Sequence, residues 1–474
     1  MMRRSRESVW TLIASFCWTF LLHRGSVSAL STALSQSSCI NVHERAPRNI
    51  RDGETWAKDQ GVEVCPGFRL VMDPIDEQDW SISTTKALKQ HETILQVPPH
   101  LFLTSEPMDT TQSASAEQCL VDILQDPASS VNAGEEDLIP LFRLVIQLLQ
   151  QYELGQESFY YPWLDALPRR FYNGVVMTSA CFECLPPFVR YLSEKERDTC
   201  QAFVQALVQQ EQEQQSSSST LLSSETIANT DLIQWAYCVA LTRSWPIPLN
   251  NNDESTSSNS MRIMAPLADF FNHDSSYHHE AEYYIDDQGN FVVYTTRDIP
   301  PNTNLRLCYS DPTNPSKLLA QYGFLDKSSP ASFCKLLHLQ HEMADLQMDY
   351  SQLLFFKDTG EISAQVWDLM LYSILLQTME TDPDPVNTFY NAYYAQDDET
   401  KQALHAQYYS YTWQALLTHV QGTLEELDYL AQLAKTKDIA KHPRLSLIQQ
   451  HNNYVQETFL KVQEGLEAMI PEAS

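Results

Sequence analysis

The stretch from Met264 to Phe324 constrains the fold more than any other. Two strand-like runs, EYYI at 282–285 and FVVYTT at 291–296, flank DDQGN, a polar turn carrying Gly289. β-Branched and aromatic residues on both sides of such a turn read as an antiparallel hairpin. Before it comes APLADFFNHD, where apolar residues run into Asp269, Asn272 and His273. After it comes LRLCYSDPTNPSKLLAQYGF, with Tyr309, Tyr322, Gly323 and Phe324. Helical periodicity is too sparse here for a nucleotide-binding βαβ unit. The pattern predicts a small, irregular β fold that holds polar residues at strand ends.

Asn272 and His273 follow mainly apolar residues, which predicts a position where a buried strand leaves the core. An Asn amide there can read the edge of a planar heterocycle, because its donors and acceptor share one plane. A turn after a strand is the other reading, since Asn, His and Asp all favour turns.

A length of 474 residues suits two or three domains, and 43% hydrophobic residues suffice for a packed core. The formal net charge of -30 excludes a protein that coats nucleic acid, which needs a basic face. An acidic surface fits a basic protein partner, by steering Lys-rich segments toward it, and also fits mere solubility. Arg3, Arg4 and Arg6, the apolar run from Trp10 to Leu22 and the small residues Val27-Ser28-Ala29 predict a cleaved signal over 1–29. The run is short for a bilayer span, so no stable membrane insertion is expected after its removal. The remaining cysteines are scattered and odd in number, which is no disulfide framework. Entry into the secretory route with an intracellular end point, such as a plastid, reconciles the two observations.

Val62 to Thr104 reads as short strands. From Glu135 to Leu154 the period changes: Leu141, Leu144, Val145, Leu148 and Leu149 line one helix face. Residues 208–226 and 250–260 are low in complexity and read as solvated insertions. From 330 to 470 the pattern is helical; Val455, Phe459, Val462, Leu466 and Met469 share one face, Leu424, Leu427, Ala431 and Ala434 another, and Val366–Met379 forms a further run. Cys181-x-x-Cys184 has no second pair, so it reads as ordinary cysteines rather than a zinc site. Asp269, His273, His278, His279 and Glu280 cluster in sequence, but in a strand-bounded loop without helical i, i+4 spacing, and no metal is expected.

Asn272-His273 after an apolar run, Tyr309 after an alternating strand, and NPSKLLAQYGF together resemble a SET domain. More narrowly, the chain is similar to the Rubisco large-subunit methyltransferase-like branch of protein methyltransferases. STTKALKQHETILQVPPHLFLT at 83–104 resembles that branch's first strands, SFYYPWLDALPRRF at 158–171 its S-x-W-x-P-Y-x-x-x-L-P segment, and Trp235 to Trp245 its W-A…S-R-x-F helix. The resemblance implies an α+β fold: a SET β-fold over 56–326, split by a helical insert at about 118–245, then an all-helical domain at 330–470 that helps bind a protein substrate.

The same resemblance implies S-adenosyl-L-methionine as cofactor and the lysine amine of a protein as methyl acceptor, with the enzyme expected to act as a monomer. Tyr309 would be the catalytic tyrosine. Arg243, Asp269, Asn272, His273, Tyr309, Tyr322, Phe324 and Trp80 would line the cofactor site; Trp245 and Tyr322 would wall the substrate. Neutral amines are the nucleophiles in such chemistry, and an apolar aromatic channel favours the neutral form of a lysine. The family's G-x-G-L loop is here Asp79-Trp80-Ser81-Ile82, and its Gly-Glu turn is Asn302-Thr303. Glycine serves where backbone must approach a ligand closely. Two alternatives therefore stand beside lysine methylation: a SET-fold binding module without catalysis, and a histidine N-methyltransferase. The bulky, apolar Trp245, two positions after Arg243, favours lysine over histidine.

Overall fold

The hairpin around Gly289 forms in the register its alternation requires. In this computed structural model, strands β9 (Ala281–Ile285) and β10 (Phe291–Thr295) pair antiparallel from Phe291↔Ile285 to Thr295↔Ala281. The Asp286 carboxylate accepts from the backbone N–H groups of Gln288 and Asn290, and Gly289 takes φ +82°, a left-handed conformation that glycine adopts without steric cost. The structure describes residues 41–469 apart from 74–76, 109, 128, 130, 132–134, 214–219, 249–259, 277 and 379–382. The expected signal at 1–29 and nearly all of the 250–260 insertion fall outside those residues.

The short strands expected between Val62 and Thr104 are β1 (Glu63–Val64), β2 (Phe68–Met72), β3 (Trp80–Thr84), β4 (Thr93–Val97) and β5 (Leu103–Thr104). They interleave with β6 (Trp245–Pro248), β7 (Ser260–Met264), β8 (Asn272–His273), β9, β10 and β11 (Thr303–Leu307) in three small sheets, ordered β1-β4-β10-β9, β2-β3-β11-β8 and β5-β7-β6. Each sheet thus joins strands from both sides of the helical insert, and the two halves of the sequence meet around one core. Asn302, at φ +60°, occupies the turn before β11, as its tolerance of left-handed backbone allows.

The insert is built on the predicted helix, Glu135–Leu154. Leu141, Leu144, Val145, Leu148 and Leu149 are almost completely buried. Each such side chain contributes about 1.5–3 kcal/mol of burial. This helix packs against Thr230–Arg243, a helix buried on nearly every face from Leu232 to Leu241. The Asn229 side chain caps its start by accepting from the N–H of Leu232.

Two expectations about local structure are corrected. APLADFF is not a strand leaving the core: β7 ends at Met264, Leu267 turns the chain at φ +67°, and Ala268–Phe270 forms one 3-10 turn before β8. Pro266 has no N–H to give a ladder, so the apolar run cannot continue as a paired strand. Residues 208–213 are not a solvated insertion either, because the helix Pro187–Glu213 runs through them. Its buried stripe of Phe203, Ala206, Leu207 and Gln210 continues the i, i+3, i+4, i+7 spacing, with glutamine filling an apolar position.

The C-terminal region is helical as expected: Ala364–Thr378, Asp384–Ala395, Asp398–Lys435 and Leu445–Ala468. Val455, Phe459, Val462 and Leu466 are fully buried, whereas Met469 caps the helix and is exposed. One β element departs from the expected all-helical character. β12 (Ala331–Phe333) pairs with β13 (Leu354–Phe356), its short, fully buried strand too brief to show a period of two. The last helix is tied to the β part by polar contacts: the Tyr454 hydroxyl donates to Ser329 O at 2.7 Å, and Ser316 Oγ meets His451 Nε2 at 3.1 Å.

Candidate active site

Residues from four places in the chain converge on Tyr309. It follows β11, whose alternation buries Leu305 and Leu307. β8 lies parallel beside β11, with Asn272 opposite Arg306 and His273 opposite Leu307. The Tyr309 backbone N–H donates to His273 Nδ1 at 3.0 Å, and its hydroxyl donates to the carbonyl of Phe271. Ring centroids of Tyr309 lie 5.1 Å from His273, 5.1 Å from Tyr322 and 6.3 Å from Phe324. His273 and Phe324 are 5.6 Å apart.

These contacts fix protonation states. His273 Nδ1 accepts a backbone N–H, so the ring proton sits on Nε2 and donates to Ser275 Oγ at 2.7 Å. Burial pushes the His273 pKa down to about 4, against the pull of Asp326, keeping the imidazole neutral. Both ring nitrogens are engaged within the protein, leaving the backbone and ring face to meet a ligand. Burial also pushes the Tyr309 phenol well above its ordinary range, opposed by Arg243 and reinforced by Asp79. Tyr309 is therefore a neutral phenol at physiological pH and not a general base. Burial raises Tyr322 to about 12.

A second group flanks the first. Arg243, at the end of its helix, donates from Nη1 to the Asp269 carbonyl at 2.7 Å, and its Nη1 lies 3.4 Å from the Asp269 carboxylate. Trp163 Nε1 donates to both carboxylate oxygens at 3.3 Å. Burial still pushes Asp269 up to about 6, with Arg243 and Trp163 pulling the other way. Leu267 holds a strained positive φ while almost fully buried, two residues before Asp269. Strain of this kind costs on the order of 1–3 kcal/mol and is maintained by surrounding packing.

The sequence-predicted residues therefore fall into connected sets. Tyr309, His273, Tyr322 and Phe324 share ring contacts; Arg243 and Asp269 are hydrogen-bonded, and Asn272 lies in the segment between. Trp80 opens β3, next to Asp79, whose carboxylate acts on Tyr309. Trp245 is not in ring contact with Tyr309. It packs on Phe291 at 4.9 Å and Tyr283 at 6.3 Å, and Tyr283 in turn bears electrostatically on Tyr322. Among the described residues, no three His, Cys, Asp or Glu side chains converge as metal ligands.

Sequence reasoning missed Trp163 and Tyr283. The aromatic residue after Pro162 in SFYYPWLDALP was the available signal for the first. For Tyr283 the signal was its place in β9, on the strand that pairs with Phe291.

Gly323 closes the site. It ends the turn Leu318–Tyr322 at φ +81°, and a Cβ there would lie 2.5 Å from Asn173 N and 2.6 Å from Tyr172 C. Only glycine lets the chain pass the Tyr172–Asn173 backbone while presenting Tyr322 and Phe324 on either side.

The family model described as SET domain matches residues 79–310. SET domain-containing protein 4 of Homo sapiens is 23% identical over 227 residues, 47% of this chain and 50% of that protein, so the match spans half of that relative. SET domain-containing protein 4 of Artemia parthenogenetica is 23% identical over 333 residues, covering 70% and 72%. The crystal structure of the SET domain of LSMT bound to lysine and AdoHcy superposes with a TM-score of 0.55 at 11% identity, covering 88% of this chain and 91% of that one. Rubisco LSMT bound to sinefungin and monomethyllysine gives 0.52 at 12% identity, covering 88% and 92%. These likenesses extend past the matched segment into the C-terminal helices and concern the fold. Residues 79–310 thus carry a SET-type core, divided by a helical insert and followed by helices.

Proposed function

We propose that this protein transfers a methyl group from S-adenosyl-L-methionine to a lysine amine of a protein substrate. The observation that carries the reading is the convergence of Tyr309, His273, Tyr322 and Phe324, with Arg243 acting electrostatically on Tyr309 and Trp80 next in sequence to Asp79, which does the same. Arg243 Nε and Trp80 Nε1 are buried with no hydrogen-bond partner among the described residues. A buried unmet N–H costs about 1–3 kcal/mol, and a polar ligand removes that cost. A carboxylate-bearing, nitrogen-rich cofactor fits such donors.

Arg243 would hold the cofactor's carboxylate, Trp80 the neighbouring polar edge, and the Asn272–His273 segment its heterocycle. When bound, S-adenosylmethionine supplies an electrophilic methyl group. The chain's own residues do the rest by position and environment. The Phe271 carbonyl orients the Tyr309 phenol, whose oxygen keeps acceptor lone pairs for the reacting centre. Tyr322 and Phe324, extended by the Trp245–Tyr283–Phe291 group, favour the neutral amine over the ammonium. Fixed orientation can supply roughly 7–11 kcal/mol of barrier reduction. The helices from 330 to 470 would seat the protein substrate, and the charge of -30 would draw a basic one.

The second reading is a binding module without catalysis. Asp79, which replaces the family's glycine and acts electrostatically on Tyr309, is the observation that favours it. Calorimetry with S-adenosylmethionine separates the two: heat of binding supports the enzyme, and none at millimolar cofactor ends that reading. Incubation with methyl-labelled cofactor and a lysate of the source cell then reveals the substrate. For targeting, residues 1–45 fused to a fluorescent protein should direct it to an intracellular compartment, and recovery in the medium would refute that proposal.

A further inference from the structure

A pocket lined by none of the residues of the proposed active site sits where the C-terminal helices meet the helix that starts at Pro187. It encloses about 260 Å³ and is lined by Pro187, Phe188, Lys335, His419, Thr423 and Glu426 among others. Lys335 is 9% exposed, and its Nζ is buried without a hydrogen-bond partner among the described residues. An isolated ammonium costs several kcal/mol to bury, in the effective range for real proteins. Lys335 also adopts φ +66°, a conformation disfavoured for a lysine. A methionine could fill the same volume without the charge.

The other polar groups define what this ammonium faces. His419 Nε2 donates to the Cys334 carbonyl at 2.7 Å, so the neutral ring offers Nδ1 as an acceptor. The Thr418 and Thr423 hydroxyls donate to the carbonyls of Gln414 and His419, leaving acceptor lone pairs. Glu426 is exposed and is the carboxylate that acts on Lys335; Arg190 acts on Glu426 in turn. His451 and Cys334 also bear on the ammonium. Burial lowers Lys335 to about 7, so an anion bound here would restore its charge.

We propose that this pocket binds a carboxylate whose neighbouring group is a cation or an N–H donor. The carboxylate would pair with Lys335 and the donor group with Glu426 and His419 Nδ1. A single cation among acceptors suits a carboxylate better than a phosphate dianion, which needs several donors. Free amino acids and acidic–basic peptide segments both carry this chemistry. The inference goes beyond the proposed methyl transfer, and its test reads binding alone.

The experiment is thermal denaturation of the full chain with free glutamate or with a capped Glu-Lys dipeptide, repeated on Lys335→Met and Glu426→Gln. At ten times the dissociation constant, the wild type should gain about 2 °C. Lys335→Met should lose the shift entirely and melt higher than the wild type without ligand. Glu426→Gln, at an exposed position, should fold normally and need several-fold more ligand. A shift with glutamate supports a free amino acid, and one with the peptide alone supports a docked segment. No shift with either at 10 mM, or an equal shift in both variants, overturns the proposal.

Discussion

Replacing His273 with Asn should change how stability depends on pH, by an amount the site itself sets. Asn can keep an acceptor for the Tyr309 N–H but cannot take up a proton. In the wild type, the His273 pKa falls to about 4 in the fold, from an ordinary value near ~6.5. Well above pH 6.5 both folded and unfolded forms are neutral, and the contribution is constant. As pH falls from 6.5 toward 4 the unfolded chain takes up a proton that the fold refuses, and stability is lost. Between pH 7 and 5 that loss is about 2 kcal/mol. Asp269 has the opposite sign: its pKa is raised to about 6, so the fold takes up its proton first and gains stability as pH falls through 6. Over the same interval it returns about 1.3 kcal/mol, so the two partly cancel in the wild type. His273→Asn removes the loss and leaves the gain. Buried His451 and His419 also titrate with lowered pKa, but equally in both proteins, and drop out of the difference. Urea denaturation of both proteins at pH 7 and pH 5, followed by tryptophan fluorescence, measures it. The variant should lose about 2 kcal/mol less than the wild type between the two pH values. Equal losses within about 0.5 kcal/mol would refute the neutral, double-bonded His273.

Tyr309→Phe should lower the rate of label transfer roughly 10²-fold with cofactor affinity nearly unchanged. A variant that retained full activity would remove the hydroxyl from the mechanism. Asp269→Ala leaves Trp163 and Arg243 facing an empty acceptor and should cost about 3–5 kcal/mol in chemical denaturation, whereas Asp269→Asn should cost less. Gly323→Ala should destabilise by about 3 kcal/mol or prevent folding, through left-handed strain and collision with the Tyr172–Asn173 backbone; a wild-type melting curve would contradict this. If the acidic surface draws in a basic substrate, KM should rise roughly threefold between 50 and 300 mM salt, with kcat little affected.

Much of the β fold was legible because its patterns are local, whereas the candidate site residues were singled out by the family resemblance. A hairpin needs only alternation and a turn with Gly289, and a helix face needs only its spacing. What escaped depends on distant partners. Trp163 matters because Asp269, more than one hundred residues later, is buried against it. Gln210 continues a helix through a polar run because neighbouring elements cover that face, which composition cannot reveal. The strand expected across APLADFF failed because hydrophobicity specifies burial and not extension; Pro266 and the strained Leu267 decide the path.

His273 carries the argument furthest. The resemblance assigned it to a cofactor, yet both of its ring nitrogens are held by Tyr309 and Ser275. Its side chain fixes the backbone on which Tyr309 is mounted. In the proposed function the heterocycle would then be met by Asn272, which makes no side-chain hydrogen bond among the described residues, and by main-chain groups nearby. Asn272→Ala should therefore weaken cofactor binding while changing stability by no more than about 0.5 kcal/mol, because the half-buried side chain has no hydrogen-bond partner among the described residues to lose. His273→Asn should disturb the rate through Tyr309 more than it disturbs cofactor affinity. If calorimetry finds the reverse order, with His273→Asn abolishing cofactor binding and Asn272→Ala without effect, the division of labour between these adjacent residues is wrong.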